Sequence, residues 1–191
     1  MILYVNACVR DASRTAQLAG YLVEKLGGPV REVRLSELTF PAADRDFLAL
    51  RDELARKDAF GHPLFARARE FAAADTVVVA APYWDLSFPA ALKQYFEQIN
   101  VPGVTFVYSP EGIPRSLCRA GRLYYVTTAG GPIFSAEYGY GYVEALAKNF
   151  YQIPEIRCVK AEGLDILGAD VDAILRRARC GIDRILEGET I

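Results

Sequence analysis

Residues 76–99 read TVVVAAPYWDLSFPAALKQYFEQI, a strand-length apolar run followed by a loop and a pattern of helical period. The run Thr76–Ala80 is typical of a strand buried on both faces, as in the parallel sheets of α/β proteins. In Pro89–Ile99 the proline stands where a first helical turn tolerates it. The stretch therefore predicts a buried strand, a loop carrying exposed aromatic residues, and a helix.

The same strand and helix alternation recurs along the whole chain. The other strand-length apolar runs are Ile2–Val5, Val30–Leu35, Leu123–Thr127 and Ile156–Ala161. The other segments of helical period are Thr15–Lys25, Phe47–Ala73, Glu137–Phe150 and Val171–Leu186. A repeated β-α order predicts an α/β fold with helices on both faces of a parallel sheet. Right-handed crossovers favour the flavodoxin-like, doubly wound arrangement of five strands in the order 2-1-3-4-5.

The composition indicates a globular chain, and we expect residues 1–191 to form one domain. Hydrophobic residues make up 52% and charged residues 24%, and the formal net charge is −2. This balance argues against nucleic acid or an anionic membrane as a partner, since neither finds a broad positive field. No segment approaches about 18 uninterrupted apolar residues, and the first residues lack a basic leader. The expected location is the cytoplasm.

Cysteine and histidine usage argues against a metal site and against disulfides. The cysteines Cys8, Cys118, Cys158 and Cys180 are scattered without a CxxC pair, and His62 is the single histidine. We expect reduced thiols that pack as small hydrophobes, and His62 in a turn between two helical pieces. Cys8 stands near the predicted ligand edge, where a lowered thiol pKa is expected.

The loop after the first strand carries groups suited to an anion. Arg10, Ser13, Arg14 and Thr15 surround the predicted start of a helix at the carboxyl edge of the sheet. Unpaired backbone N–H groups, the helix dipole and two guanidinium groups would stabilise a phosphate there. The alternative is that Ser13 only caps the helix beside two solvated arginines. The position at the ligand edge favours the phosphate.

Several motifs, in chain order, resemble the FMN-dependent NADH azoreductase and quinone reductase family. The loop and helix after the third strand match its pattern at Pro82, Pro89, Leu92, Lys93, Tyr95 and Ile99. Thr127–Gly131 is similar to its T-S/T-x-G-G loop, and Ala161–Gly163 agrees with it after the fifth strand. The segment Ser13–Thr15 falls where the family has its S-x-S phosphate loop. The likeness spans essentially the whole chain.

The resemblance implies an FMN site and a reaction. It implies that Ser13, Arg14 and Thr15 hold the phosphate, that Pro82, Tyr83, Trp84, Asp85 and Leu86 pass the flavin ring, and that Thr128, Ala129, Gly130 and Gly131 lie on its pyrimidine side. NADH or NADPH would be the electron donor, and a quinone or azo compound would take two electrons in a ping-pong order. Phe134, Tyr138 and Tyr140 are candidates for the substrate wall, and the protein would be a homodimer.

The chain departs from the family pattern at the flavin wall. Asp85 replaces asparagine, and a carboxylate close to the ring would oppose the negative charge of reduced flavin unless protonated, paired or turned away. Tyr83 and Trp84 are bulkier than the usual methionine and tyrosine, and Ala129 is smaller than many relatives have. A charged Asp85 predicts a flavin potential lower than is typical of the family, and the bulkier wall leaves the substrate range open.

Some alternatives remain open at this point. The chain could be a flavodoxin-type electron carrier, although it lacks the threonine-rich phosphate loop and the strongly acidic surface of that class, or a flavin-free binding domain on the same fold. The segment Tyr138–Tyr142 could be a lid or a helix-entry turn. The apolar residues of the insertion, Phe47, Leu48, Leu50 and Leu54, could join a dimer or fold back on the sheet edge.

Overall fold

The computed structural model describes residues 1–188. Its strands are β1 Ile2–Asn6, β2 Val30–Arg34, β3 Thr76–Ala80, β4 Phe106–Tyr108, β5 Pro114–Ser116, β6 Arg122–Thr128 and β7 Glu155–Ala161. Its α-helices are α1 Arg14–Leu26, α2 Arg45–Arg56, α3 Ala66–Ala72, α4 Ala90–Ile99, α5 Tyr142–Asn149 and α6 Val171–Leu186.

Five of the strands form one parallel sheet in the order β2-β1-β3-β6-β7, which confirms the predicted topology. In β1 and β3 every residue is buried, because these strands are covered on both faces; their residues are mostly apolar or β-branched, and the polar Asn6 donates to Glu32 Oε1 at 2.9 Å. Ile2 aligns with Val30 on one side and with Thr76 on the other. The carboxyl ends of β1, β3 and β6 therefore meet at one edge.

Helices cover both faces of the sheet, as predicted. On one face Leu18 and Leu22 of α1 pack with Ile182 of α6. On the other face α3, α4 and α5 contribute residues such as Phe71 and Phe96. Each fully buried side chain of this size contributes about 1.5–3 kcal/mol relative to an exposed one. The two cores fix the helices and so fix the loops at the carboxyl edge.

The predicted helical stretch Phe47–Ala73 is divided in two. The helix α2 ends at Arg56, Asp58 adopts a positive φ of 52°, and a 3₁₀ turn over Pro63–Phe65 precedes α3. His62 caps this turn, since its Nδ1 accepts the Leu64 N–H at 3.2 Å. His62 therefore lies in a turn, as expected.

The apolar residues of α2 fall into two groups. Leu54 and Phe47 are partly covered, and Leu54 packs against the core. Leu48 and Leu50 remain 43% and 44% exposed. The insertion thus folds back on the domain at one side of the helix and presents leucines to solvent on another.

Two features were not predicted. The antiparallel pair β4–β5 forms a small separate sheet between α4 and β6. The predicted helix Glu137–Phe150 begins with a π-helical turn over Glu137–Gly141 and ends as α5 at Asn149. The YGYGY segment is therefore part of a helix entry, which was one of its two interpretations.

Candidate functional site

The carboxyl edge of the sheet carries a cleft of about 440 Å³. Small-molecule sites usually measure 300–1,000 Å³ and occur at this switch point of doubly wound sheets. The residues that line it come from the loops after β1, β3, β6 and β7. They are Val9, Arg10, Ala12, Ser13, Arg14, Thr15, Pro82, Tyr83, Trp84, Thr128, Ala129, Gly130, Leu164 and Asp165.

The start of α1 forms one end of the cleft. Ser13 is the N-cap, and its Oγ accepts the Ala16 N–H at 3.2 Å. The backbone N–H groups of Arg14 and Thr15 find no acceptor within residues 1–188. The Ser13 hydroxyl hydrogen also remains free to donate, so capping and anion binding do not compete for this group. Arg10 stands exposed at the mouth.

Thr15 joins two loops of the cleft from the inside. Its Oγ1 lies 2.6 Å from Thr128 Oγ1, and both side chains are buried. The hydroxyl of Thr15 therefore fixes the loop after β1 against the end of β6. Its backbone N–H is the group that remains open toward the cleft.

Arg14 is held by the loop after β7. Its Nη1 donates to Asp165 Oδ1 at 2.7 Å and to the Leu164 carbonyl at 3.2 Å. The same carboxylate lies so close to Gly130 that a Cβ on that residue would overlap Asp165 Oδ2. Sequence reasoning did not identify Asp165 or Leu164, although the loop that carries them follows the predicted fifth strand.

The glycine loop after β6 forms another side of the cleft, next to Asp165. Its carbonyl groups at residues 129–131 accept N–H groups from residues 163–165. The N–H groups of Gly130 and Gly131 themselves find no acceptor in the described part of the chain. Two unpaired donors therefore stand beside a backbone that a planar ligand can approach closely.

The loop after β3 supplies the aromatic wall. Trp84 and Ser87 pair through two backbone hydrogen bonds of 3.1 and 2.8 Å. Between them Asp85 and Leu86 adopt positive φ values of 50° and 65°, the conformation of a type I′ hairpin turn. Trp84 lines the cleft, whereas Asp85 and Leu86 are exposed at the tip and do not. The Asp85 carboxylate is thus turned away, one of the three possibilities considered for it.

Contacts at both ends fix this wall. The Tyr83 N–H donates to the Thr128 carbonyl at 3.0 Å, and the Tyr83 hydroxyl donates to the Ser135 carbonyl at 3.3 Å. The Ser87 hydroxyl donates to the Tyr138 carbonyl at 2.6 Å. The hairpin and the loop after β6 therefore form one connected unit.

The three candidate substrate residues lie in different surroundings. Phe134 and Tyr138 are 81% and 57% exposed and stand outside the cleft lining. Tyr140 turns inward, where its hydroxyl donates to Glu144 Oε1 at 3.1 Å and its ring packs on Tyr125. Gly131 also lies outside the lining residues. The structure does not bring Phe134, Tyr138 and Tyr140 together into one wall.

The comparisons with known proteins agree with this geometry. A family model described as a flavodoxin-like fold matches residues 1–186. The chain is 31% identical over 191 residues to an FMN-dependent NADH:quinone oxidoreductase of Lachnoclostridium phytofermentans, with 93% of each chain covered. The chain belongs to the flavodoxin-like family of FMN-dependent NADH:quinone oxidoreductases. It is also 32% identical over 186 residues to an FMN-dependent NADH:quinone oxidoreductase 2 of Clostridium acetobutylicum, covering 92% of each.

Solved structures of other proteins have the same fold as this chain. An azoreductase from Bacillus anthracis covers 98% of this chain and 99% of its own, with a TM-score of 0.82 at 21% identity. An FMN-dependent NADH-azoreductase from Bacillus anthracis, solved in complex with FMN, has a TM-score of 0.80 at 20% identity and covers 97% of each chain. At these identities the likeness concerns the fold.

Burial controls the thiols and phenols near the cleft. Burial raises the pKa of Cys8, so the expectation of a lowered thiol pKa was wrong: desolvation outweighs the nearby helix start. Burial likewise raises the pKa of Cys158 to about 12 and raises the pKa values of Tyr125 and Tyr140. These groups stay protonated at neutral pH.

A second, smaller pocket of about 80 Å³ is also lined by Tyr83. Tyr125, Thr127 and Cys158 line it together with residues of the π-helical turn. The Thr127 hydroxyl is buried and has no hydrogen-bond partner within residues 1–188. Tyr83 lines both this pocket and the cleft.

Within residues 1–188, no group of three histidine, cysteine or acidic side chains could hold a metal ion. Across the same residues, no helix combines the length and apolar character needed to cross a membrane. All four cysteines are free thiols.

Proposed function

We propose that this chain is an FMN-dependent oxidoreductase that passes two electrons from NADH or NADPH to a quinone or an azo compound. The observation that carries the proposal is the cleft at the sheet edge, which has unpaired backbone N–H groups at the start of α1 and in the glycine loop, together with an aromatic wall from the loop after β3. The names of the relatives support NADH as donor and a quinone as acceptor.

The start of α1 suits the FMN phosphate. The N–H groups of Arg14 and Thr15, the Ser13 hydroxyl and the Arg10 and Arg14 guanidinium groups offer a dianion several charge-assisted hydrogen bonds. The helix dipole adds about 0.3–1 kcal/mol for a charge at such an exposed end. The residues present therefore fit a flavin phosphate.

The glycine end and the aromatic wall suit the flavin ring. Trp84 and Tyr83 offer flat apolar surface, and the N–H groups of Gly130 and Gly131 can donate to the pyrimidine edge. Donors at this edge stabilise negative charge on the ring. Bound FMN would supply the two-electron redox chemistry, and the side chains of the cleft would orient it and exclude water from one face.

The geometry supports an alternating order of donor and acceptor. Nicotinamide and quinone or azo groups all need the same open side of one cleft, so they must occupy it in turn, which is the ping-pong order. The ionisable side chains that line the cleft are Arg10, Arg14, Tyr83 and Asp165. None of them has a hydrogen-bonded partner typical of a general base, and the proton is therefore taken from water.

A homodimer in the cytoplasm belongs to the same proposal. Leu48 and Leu50 of α2 are exposed, and Phe134 and Trp84 present apolar surface beside the cleft. A second copy that covered such residues would shield the open side of the flavin ring. Reduced cysteines fit a cytoplasmic location.

The decisive experiment is a flavin titration followed by a reduction assay. The purified protein should bind FMN, and NADH or NADPH under argon should bleach the bound flavin spectrum, which a quinone should then restore. Ser13→Ala should weaken FMN more than riboflavin, since only FMN carries the phosphate, while Ser109→Ala on the distant β4–β5 turn serves as control. Binding without reduction by either nicotinamide would contradict the proposal and favour an electron carrier.

A further inference from the structure

The ion pair between Arg14 and Asp165 connects two loops that are 151 residues apart in the chain. Arg14 stands at the start of α1, and Asp165 follows β7, so the pair links the two loops on the side of the cleft where the phosphate is proposed to bind. Asp165 is also tied through its backbone, because its N–H donates to the Gly130 carbonyl at 2.9 Å. The backbone of Asp165 is therefore fixed, and its carboxylate can hold the Arg14 guanidinium in one position.

The contacts use only one side of the Arg14 guanidinium. Both bonds, to Asp165 Oδ1 and to the Leu164 carbonyl, come from Nη1. A guanidinium has five N–H donors, so those on Nε and Nη2 are left without a partner in residues 1–188. Since Arg14 lines the cleft, these remaining donors are the ones that an anion meets there.

We propose that Asp165 is a positioning residue, which acts through Arg14 to select the phosphate-bearing form of the flavin over the form without phosphate. The proposal rests on the proposed function. An unanchored arginine samples many rotamers, and fixing such a side chain on binding reduces the affinity. Asp165 and the Leu164 carbonyl avoid this loss, because they hold Arg14 before the ligand arrives.

A second effect of Asp165 opposes the first, since its carboxylate repels a phosphate. The side chains of Arg14 and Asp165 are 39% and 70% exposed, so water and salt screen this repulsion strongly. Orientation of the guanidinium acts at hydrogen-bond distance and is not screened in this way. The positioning effect is therefore the larger one, and removal of Asp165 is expected to weaken FMN binding.

Gly130 is part of the same arrangement. A Cβ on this residue would overlap Asp165 Oδ2, so a side chain there would push the carboxylate off its place beside Arg14. Only glycine leaves both the carboxylate position and the approach to the cleft open. This gives the glycine a role on the phosphate side as well as on the ring side.

The test is a double-mutant cycle on flavin affinity, measured by quenching of FMN and of riboflavin fluorescence. Asp165→Ala should raise the Kd for FMN about 3- to 10-fold and change the Kd for riboflavin by less than about 2-fold. Arg14→Ala should raise the FMN Kd further, and Asp165→Ala added to it should cause no further loss of affinity, because the positioning effect acts through Arg14 and only the screened repulsion is then removed. Asp172→Ala, an exposed acidic residue on α6 outside the cleft, is the charge-matched control.

Three outcomes would overturn the proposal. Tighter FMN binding by Asp165→Ala would mean that repulsion dominates, equal losses for FMN and riboflavin would mean a general structural role, and additive effects in the double variant would remove Arg14 from the explanation. Failure of the wild-type protein to bind either flavin would instead refute the proposed function together with this inference. Asp165→Asn, which keeps the size and one acceptor oxygen, should recover part of the FMN affinity.

Discussion

Two buried threonines allow one substitution to be tested with opposite expected signs. Thr127 is 3% exposed, and its hydroxyl has no partner within residues 1–188. A buried hydroxyl without a hydrogen bond costs about 1–3 kcal/mol, and valine keeps its shape. Thr127→Val should therefore raise the free energy of unfolding by about 1 kcal/mol, or the Tm by about 2–4 °C for a domain of this size.

Thr105→Val is the matched control. Thr105 is fully buried, and its Oγ1 donates to the Ile99 carbonyl at 2.7 Å and accepts the Val101 N–H at 3.2 Å. Removing it takes a partner from two backbone groups and should lower the free energy of unfolding by about 1–3 kcal/mol. Urea unfolding of the flavin-free protein measures both changes. Destabilisation by Thr127→Val would refute the reasoning and would indicate that water in the 80 Å³ pocket satisfies this hydroxyl.

Three other predictions concern stability and assembly. Gly103→Ala should destabilise by more than about 1 kcal/mol, because φ is +89° and a Cβ would overlap the Phe60 ring, whereas Gly121→Ala meets open space and should be nearly neutral in the same urea assay. Hydrogen bonds from Lys25 and Tyr21 lower the pKa of Asp183. The stabilisation of the fold by ionised Asp183 is therefore present above about pH 4 and is lost as the pH falls through the lowered pKa. Asp183→Asn should make the Tm fall less steeply as the pH is lowered. Light scattering of the FMN-bound protein at low micromolar concentration should give the mass of two chains, and a single-chain mass would exclude a pocket completed by two copies.

The main sheet was predictable because its strands carry a strong local signal. The run at β3 is apolar throughout and bounded by charge and proline, and the observed Thr76–Ala80 matches the expectation residue for residue. By contrast, β4 and β5 have three residues each, and Pro114–Ser116 contains neither alternation nor an apolar run. Their pairing depends on contacts at the sheet edge that local pattern cannot reveal.

The candidate site was only partly predictable, for a similar reason. Ser13 precedes the predicted helix after the first strand, and Gly130 belongs to the glycine motif after the fourth predicted strand, so the rule for ligand sites in doubly wound sheets locates them. Asp165 follows β7 at a distance of four residues, and nothing local distinguishes it from other exposed acidic residues. Its role appears only through contacts with Arg14 and Gly130. For Cys8 the sequence predicted a lowered thiol pKa, whereas burial raises it. The extent of that burial could not be compared with the effect of the helix start from sequence alone.

The hairpin Trp84–Ser87 has a consequence for which substitutions its tip accepts. Its backbone bonds are made by Trp84 and Ser87, so the two tip residues are free to vary without loss of any ladder bond. Asp85 and Leu86 hold a positive φ that glycine or asparagine adopts more readily, and a bulky leucine there carries strain of about 1–3 kcal/mol. The tip is thus a two-residue segment beside the cleft at which one side chain can be exchanged for another without loss of a backbone hydrogen bond.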